Sequence, residues 1–229
     1  MHGNGKFAPM IDRIDTVILD LGGVLIDVDY DRAAEAFASL GVSDFQRSYS
    51  KAKQSDLFDR FETGEIDPAA FRNELRRSVG FELNDEQIDH CWNAMLGRIP
   101  PERIELVKEL KERYTLLLLS NTNSIHVPAF TRIILEENGI DDLRALFHGA
   151  YFSHEMRSRK PDPKIFLEVL ARHGSRPDRA LFIDDSPQHV EGARRAGLHA
   201  EHLDLRKEDI VQLADRLGLM DRPHRKGRA

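Results

Sequence analysis

Cysteine is all but missing from this chain. Cys91 is the single one in 229 residues, so no disulfide framework can form within it, and a reducing compartment is its expected home. Long apolar runs are missing as well: none approaches membrane-spanning length, and Met1 to Pro9 is polar and glycine-bearing, without the apolar core of a signal peptide. A cytoplasmic protein with no membrane partner is expected. Nor is there an excess of positive charge. The 33 Lys and Arg and the 39 Asp and Glu residues are interspersed and leave a formal charge of −6, which offers no clustered basic face for nucleic acid. An anionic substrate would have to be drawn in by a local site. Core material, by contrast, is plentiful: 41% of the residues are hydrophobic, ample for one large domain or a core with a smaller insert.

The stretch that organises the chain runs from Thr16 to Leu25. Thr16-Val17-Ile18-Leu19 is too short an apolar run for a helix and reads as a strand buried on both faces, as in a parallel sheet. Asp20 then sits at its C-terminal end, the edge where open α/β sheets bind ligands, and Gly22-Gly23 lets the backbone turn close to one. Taken alone, Asp20 is more simply a strand-to-turn residue capping the next segment. Three later stretches change that balance. Tyr114 to Leu119 is a second strand-like run and ends in Ser120-Asn121-Thr122-Asn123, hydroxyl and amide groups at the same edge. Lys160 follows an irregular polar stretch and precedes Pro161, which keeps it out of helical geometry. Ala180 to Ile183 is a third run and ends in Asp184-Asp185. Each has an ordinary reading as a loop serine, a surface lysine or a capping aspartate pair. Their order is what such readings leave unexplained.

In that order the four stretches resemble the haloacid dehalogenase superfamily, phosphatases and phosphotransferases that work through an aspartyl-phosphate. The resemblance extends from about Asp15 to about Leu217. Leu119-Ser120-Asn121-Thr122-Asn123, Arg159-Lys160-Pro161 and Phe182-Ile183-Asp184-Asp185-Ser186 look closest to the branch of sugar-phosphate phosphatases that act on glucose 1-phosphate. It implies Asp20 as nucleophile, Ser120 and the backbone N–H of Asn121 as phosphate-binding groups, and Lys160 as the cation that neutralises both Asp20 and the transferring group. It also implies magnesium (Mg2+) as cofactor, held by Asp20, the carbonyl of Gly22 and Asp185, with Asp184 a ligand or a partner one layer out. A hard cation with oxygen ligands suits that set. The partner implied is a small phosphorylated metabolite.

Strands alternating with crossover-length helices predict an α/β fold, a doubly wound parallel sheet. Between the first strand and Arg98 the pattern is helical throughout, with apolar residues at three and four residue spacings in Ala33, Phe37 and Leu40, then Leu57, Phe58 and Phe61, then Phe71, Leu75 and Val79. This resembles the small helical cap that many superfamily members insert at this point. The expected organisation is a core of residues 13–28 and 99–218, a cap of residues 29–98, and loose termini at 1–12 and 219–229. Val24 to Val28 is expected as an extended flap over the site.

Two departures from the superfamily pattern bear on chemistry. The commonest members carry an acid two residues after the nucleophile, which protonates the leaving group; here that position is Gly22. General acid–base help contributes about 10²–10⁴ in rate. Its absence favours a substrate whose leaving group departs without much protonation, such as a sugar 1-phosphate, and it keeps open the alternative of a catalytically impaired phosphate-binding or regulatory protein. The fourth motif has Asp184-Asp185 followed by His189 rather than a single aspartate and a later acid; His189 is expected at a helix start rather than on a metal. His126, Asp27 and Asp29 are the positions near the expected cleft that offer a substitute proton donor, each with the simpler reading of a packing or surface residue.

Overall fold

The computed structural model describes residues 11–42 and 56–221. Five parallel strands form one sheet in the order β3-β2-β1-β4-β5: β1 (Thr16–Leu19), β2 (Thr115–Ser120), β3 (Gly149–Phe152), β4 (Ala180–Asp184) and β5 (His199–His202). The central strand is β1, with Thr16 to Leu19 in register with Thr115 to Leu118 on one side and with Ala180 to Ile183 on the other. Successive strand residues point to opposite faces, so each apolar run feeds two cores. Val17, Leu19, Leu116 and Leu118 pack with Ile104 and Val107 of α5 (Pro101–Arg113), Phe130 of α6 (His126–Asn138) and Leu213 of α10 (Ile210–Arg216). Ile18, Leu117 and Phe182 pack on the other face with Phe166 and Val169 of α8 (Pro163–Arg172) and Val190 of α9 (Pro187–Arg195). The expected doubly wound α/β sheet is observed.

The cap is α1 (Tyr30–Ser39), α2 (Leu57–Glu62), α3 (Pro68–Val79) and α4 (Asp85–Asn93) around an apolar cluster of its own, in which Phe37, Phe61, Phe71, Leu75, Ile88 and Trp92 are buried. The helices start where side-chain oxygens satisfy end donors. Asp67 accepts from the Ala70 N–H ahead of Pro68, and Asn84 and Gln87 form a reciprocal capping box. The two connections to the core run side by side: Asp27 N–H donates to Arg98 O at 2.9 Å and Gly97 N–H to Asp27 O at 2.7 Å. A Cβ at Gly97 would lie 3.0 Å from Asp27 O, so only glycine permits that approach without displacement.

The structure departs from the sequence reading in several places. Val24 to Val28 is extended only in its second half: Ile26 and Val28 form isolated bridges with Gly22 and Leu96 and line the cavity. Before them the chain makes a turn, in which the N–H groups of Leu25 and Ile26 both donate to Leu21 O, and Val24, Leu25 and Ile26 are buried, because three consecutive apolar residues gain more from the core than from solvent. A short helix, α7 (Ser153–Met156), stands where a loop was expected. Ordered packing also exceeds residues 13–218. Ile11 and Leu219 are buried in the core, and Tyr114 OH donates to Leu219 O at 3.0 Å. Expectations for residues 1–10 and for the terminus beyond Asp221 lie outside the described residues.

Candidate active site

Strand geometry delivers the chemistry to one edge. Asp20 follows β1, its N–H donating to Ile183 O of β4 at 3.0 Å, while Ser120 and Asp184 are the last residues of β2 and β4. Lys160 reaches the same point from the segment after α7. Its Nζ lies 2.7 Å from Asp20 Oδ1 and 2.7 Å from Asp184 Oδ2, and the lysine side chain is fully buried. The structure therefore brings Asp20, Gly22, Ser120, Asn121 and Asp185 to the wall of one cavity of about 510 Å³ between sheet edge and cap, while Lys160 and Asp184, fully buried, join it through the contact of Lys160 with Asp20.

The electrostatics of this cluster are lopsided. Burial, and then the Asp184 carboxylate, push Asp20 up to about 8 against the pull of Lys160. Asp184 is held well below the ordinary carboxylate range: its burial is outweighed by the Lys160 ammonium, the His189 ring and their hydrogen bonds. Burial lowers the Lys160 pKa, yet Asp184 and Asp20 outweigh it and the net shift is upward. Asp185 is raised by burial and by Asp184. Three acidic side chains thus share one ammonium, and a further positive charge is what would let all of them ionise. Hard oxygen donors fit magnesium. Asp185 is seated against the backbone, since a Cβ on Gly23, which has φ +73°, would fall 2.3 Å from its Oδ2. His189, expected merely to start a helix, does stand in the first turn of α9, but its Nδ1 also lies 3.0 Å from Asp184 Oδ2. Asp20, Asp184 and His189 offer ligand atoms within 4.8 Å of one another.

Some residues take roles that the sequence reading missed. Asn121 uses its side chain, donating from Nδ2 to Lys160 O and accepting from Lys160 N–H at Oδ1, both at 2.9 Å. Asn123 Oδ1 accepts from the N–H groups of Ile125 and His126 and so anchors the start of α6. Neither was separable from a phosphate-binding amide by sequence. The proton-donor candidates fare differently. Asp27 pairs with Arg103 Nη1 at 2.8 Å, and Asp29 caps α1 by accepting from Asp31 N–H. His126 does line the cavity, with Nδ1 2.7 Å from Asn93 Oδ1 of the cap and its ring stacked on Trp92, but burial pushes it down to about 3, so it holds no acidic proton at neutral pH. The cap also brings in Phe58, Asp59 and Glu62 of α2. Arg159 bridges from the core to both acids, pairing with Asp59 and lying 3.1 Å from Glu62 Oε2.

The arrangement is that of the haloacid dehalogenase-like hydrolases, and the chain belongs to that family, whose model matches residues 14–197. Among characterised relatives, a D-ribitol-5-phosphate phosphatase of Bacteroides thetaiotaomicron is 27% identical over 80% of this chain and 89% of its own length. A phosphorylated carbohydrates phosphatase of Thermotoga maritima is 27% identical over 81% and 82%. Among solved structures, a haloacid dehalogenase family enzyme of B. thetaiotaomicron is 34% identical, with a TM-score of 0.80 over 87% of this chain and 98% of its own. A wild-type crystal structure of that enzyme, in complex with magnesium and inorganic phosphate, has a TM-score of 0.76 at 34% identity over the same shares of the two chains.

Proposed function

We propose that this haloacid dehalogenase-like phosphoric monoester hydrolase is a magnesium-dependent phosphatase of small phosphorylated carbohydrates, with Asp20 as nucleophile. The observation that carries the reading is the buried Lys160 ammonium, 2.7 Å from both Asp20 and Asp184 at the ligand-binding edge of the sheet. A fully buried lysine paired with a cavity-lining aspartate serves to hold Asp20 in line with an incoming phosphorus and to offset its charge. Asp20, the Gly22 carbonyl, Asp185 and Asp184 are the groups that would hold magnesium. When bound, the metal offsets the anionic charge of the phosphoryl group and of the carboxylates around it.

Asp20 Oδ attacks phosphorus while the ester oxygen departs, giving an aspartyl-phosphate. Ser120 Oγ and the Asn121 N–H donate to the phosphoryl oxygens, and Lys160 stays paired with the carboxylate that has become an acyl phosphate. Water then attacks phosphorus, phosphate leaves, and Asp20 is regenerated. The cavity volume of about 510 Å³ suits a sugar or polyol phosphate, and relatives named for phosphorylated carbohydrates support that substrate class. The test is a hydrolysis screen over phosphorylated carbohydrates and 4-nitrophenyl phosphate, with magnesium and with chelator. Release of phosphate that chelator abolishes is expected. An intact protein that hydrolyses no ester in magnesium would leave the second reading, a phosphate-binding protein whose turnover was lost with the acid missing at Gly22.

A further inference from the structure

The reaction needs a proton for its leaving group, and the usual donor position is glycine. The described residues that line the cavity include four carboxylic acids, Asp20, Asp59, Glu62 and Asp185. Asp20 is the nucleophile and Asp185 faces the metal position. Asp59 is largely exposed, its carboxylate taken by an Arg159 N–H. That leaves Glu62, the last residue of α2, which lines the same cavity as Asp20 from the cap. Its side chain is only 24% exposed, and its fully buried Oε2 makes no hydrogen bond but meets Arg159 Nη2 as an ion pair at 3.1 Å. A carboxyl so placed at a cavity wall keeps lone pairs for a ligand.

We propose that Glu62 is the general acid and base of this enzyme, delivered by the cap in place of the side chain missing at Gly22. The inference rests on the phosphatase reading and extends it. As Asp20 Oδ forms its bond to phosphorus and the bond from phosphorus to the ester oxygen breaks, the Glu62 carboxyl gives its proton to that oxygen, which leaves as an alcohol. The Glu62 carboxylate then takes a proton from the water that attacks the aspartyl-phosphate. The bond from phosphorus to Asp20 breaks, and Glu62 is again protonated for the next cycle. Proton, electron pair and leaving group balance within this chain, water and the ester.

The surroundings of Glu62 suit both halves of the cycle. Burial pushes its carboxyl up to about 7 against the Lys160 ammonium, close to the value at which donor and acceptor forms are both accessible. Arg159 Nη2 lies 3.1 Å from Oε2, and a bound phosphate dianion offsets the positive charge of Arg159 and Lys160. The consequence for substrate range is definite. With a cap-borne acid, esters of ordinary alcohols are substrates, and the enzyme is not restricted to sugar 1-phosphates.

Glu62→Gln is the test, because the amide keeps the shape and donates no proton. Two esters are compared in magnesium: 4-nitrophenyl phosphate, whose leaving group departs unprotonated, and a primary-alcohol ester such as a sugar-alcohol 5-phosphate. The expected result in kcat/KM, which reports the step up to departure of the leaving group, is a fall of about 10²-fold or more on the alkyl ester and a far smaller one on the aryl ester, while kcat falls on both because the shared aspartyl-phosphate has lost its base. Gly22→Asp added to Glu62→Gln should recover kcat/KM on the alkyl ester at least tenfold, since a Cβ at Gly22 meets only Val28 Cγ2, at 3.3 Å. An equal fall of kcat/KM on both esters would make Glu62 a structural residue, and no fall on either would remove it from the reaction; both outcomes overturn the proposal. If the double variant fails to fold, the ester ratio of the single variant decides. A parent inactive even on the aryl ester would overturn the phosphatase reading itself, a result distinct from an active parent whose variant keeps the parent's ratio.

Discussion

Asn121 and Lys160 hold each other through a closed pair of hydrogen bonds, Nδ2 to the lysine carbonyl and the lysine N–H to Oδ1, both 2.9 Å long. The amide thereby sets the backbone from which the Lys160 side chain reaches the two carboxylates. A residue that reads in the sequence as a phosphate ligand is thus, in the structure, the mount for the buried Lys160.

Removing that mount should cost activity before it costs the fold. Asn121→Ala is expected to lower kcat by about 10- to 100-fold, since small misplacements of reacting groups are penalised on that scale. Thermal unfolding should report a loss of about 1–3 kcal/mol from the two buried groups left unpaired. Parent-level turnover in the alanine variant would mean that Lys160 is held by its carboxylates alone.

For Asp20 as the proposed nucleophile, Asp20→Asn is expected to reduce phosphate release by more than about 10³-fold while preserving the circular-dichroism spectrum, because the amide matches the carboxylate in shape but not in nucleophilicity. It should also raise the melting temperature of the metal-free protein at pH 8. The sign follows from the raised pKa: Asp20 is pushed from 3.8 to about 8, so ionisation is easier in the unfolded chain, and stability falls as pH rises from 3.8 towards 8. Asparagine never ionises and escapes that loss.

The two aspartates of the fourth motif should separate by observable. Asp184 accepts from Lys160 Nζ and from Ser186 N–H, both at 2.7 Å, and is fully buried. Asp184→Ala leaves a buried ammonium short of a partner and should destabilise by about 3–5 kcal/mol with or without metal. Asp185→Ala should leave the metal-free melting temperature near the parent's and abolish the rise that magnesium produces. Identical behaviour of the two variants would contradict this division of labour.

Acid should expose His126. Burial lowers its pKa from 6.5 to about 3, so between those values the unfolded chain binds a proton that the folded chain does not. Stability contributed by the neutral ring is complete above 6.5 and is lost as pH falls towards 3, with a slope approaching about 1.4 kcal/mol per pH unit. Denaturant titrations from pH 7 to pH 4 should show a shallower decline in His126→Gln than in the parent. Parallel curves would mean that the ring is solvated.

Asp20, Ser120, Lys160 and the Asp184-Asp185 pair were legible in the sequence because each closes an apolar run, or the loop after one, and runs of that length form parallel strands whose C-terminal ends share one edge. The cap was legible as periodicity, since apolar residues at three and four residue spacings force helices whatever they pack against. What periodicity cannot encode is which residues meet across the cleft. The approach of Glu62 to Arg159, of Asn93 to His126 and of His189 to Asp184 joins separate elements, and only the packing of the cap on the sheet edge decided it. Local sequence determined the strands and the order of the charged groups along the chain. The burial that shifts Asp20, Glu62 and His126 from their ordinary pKa values exists only once two layers close over them, because desolvation is a property of the surroundings and not of the residue.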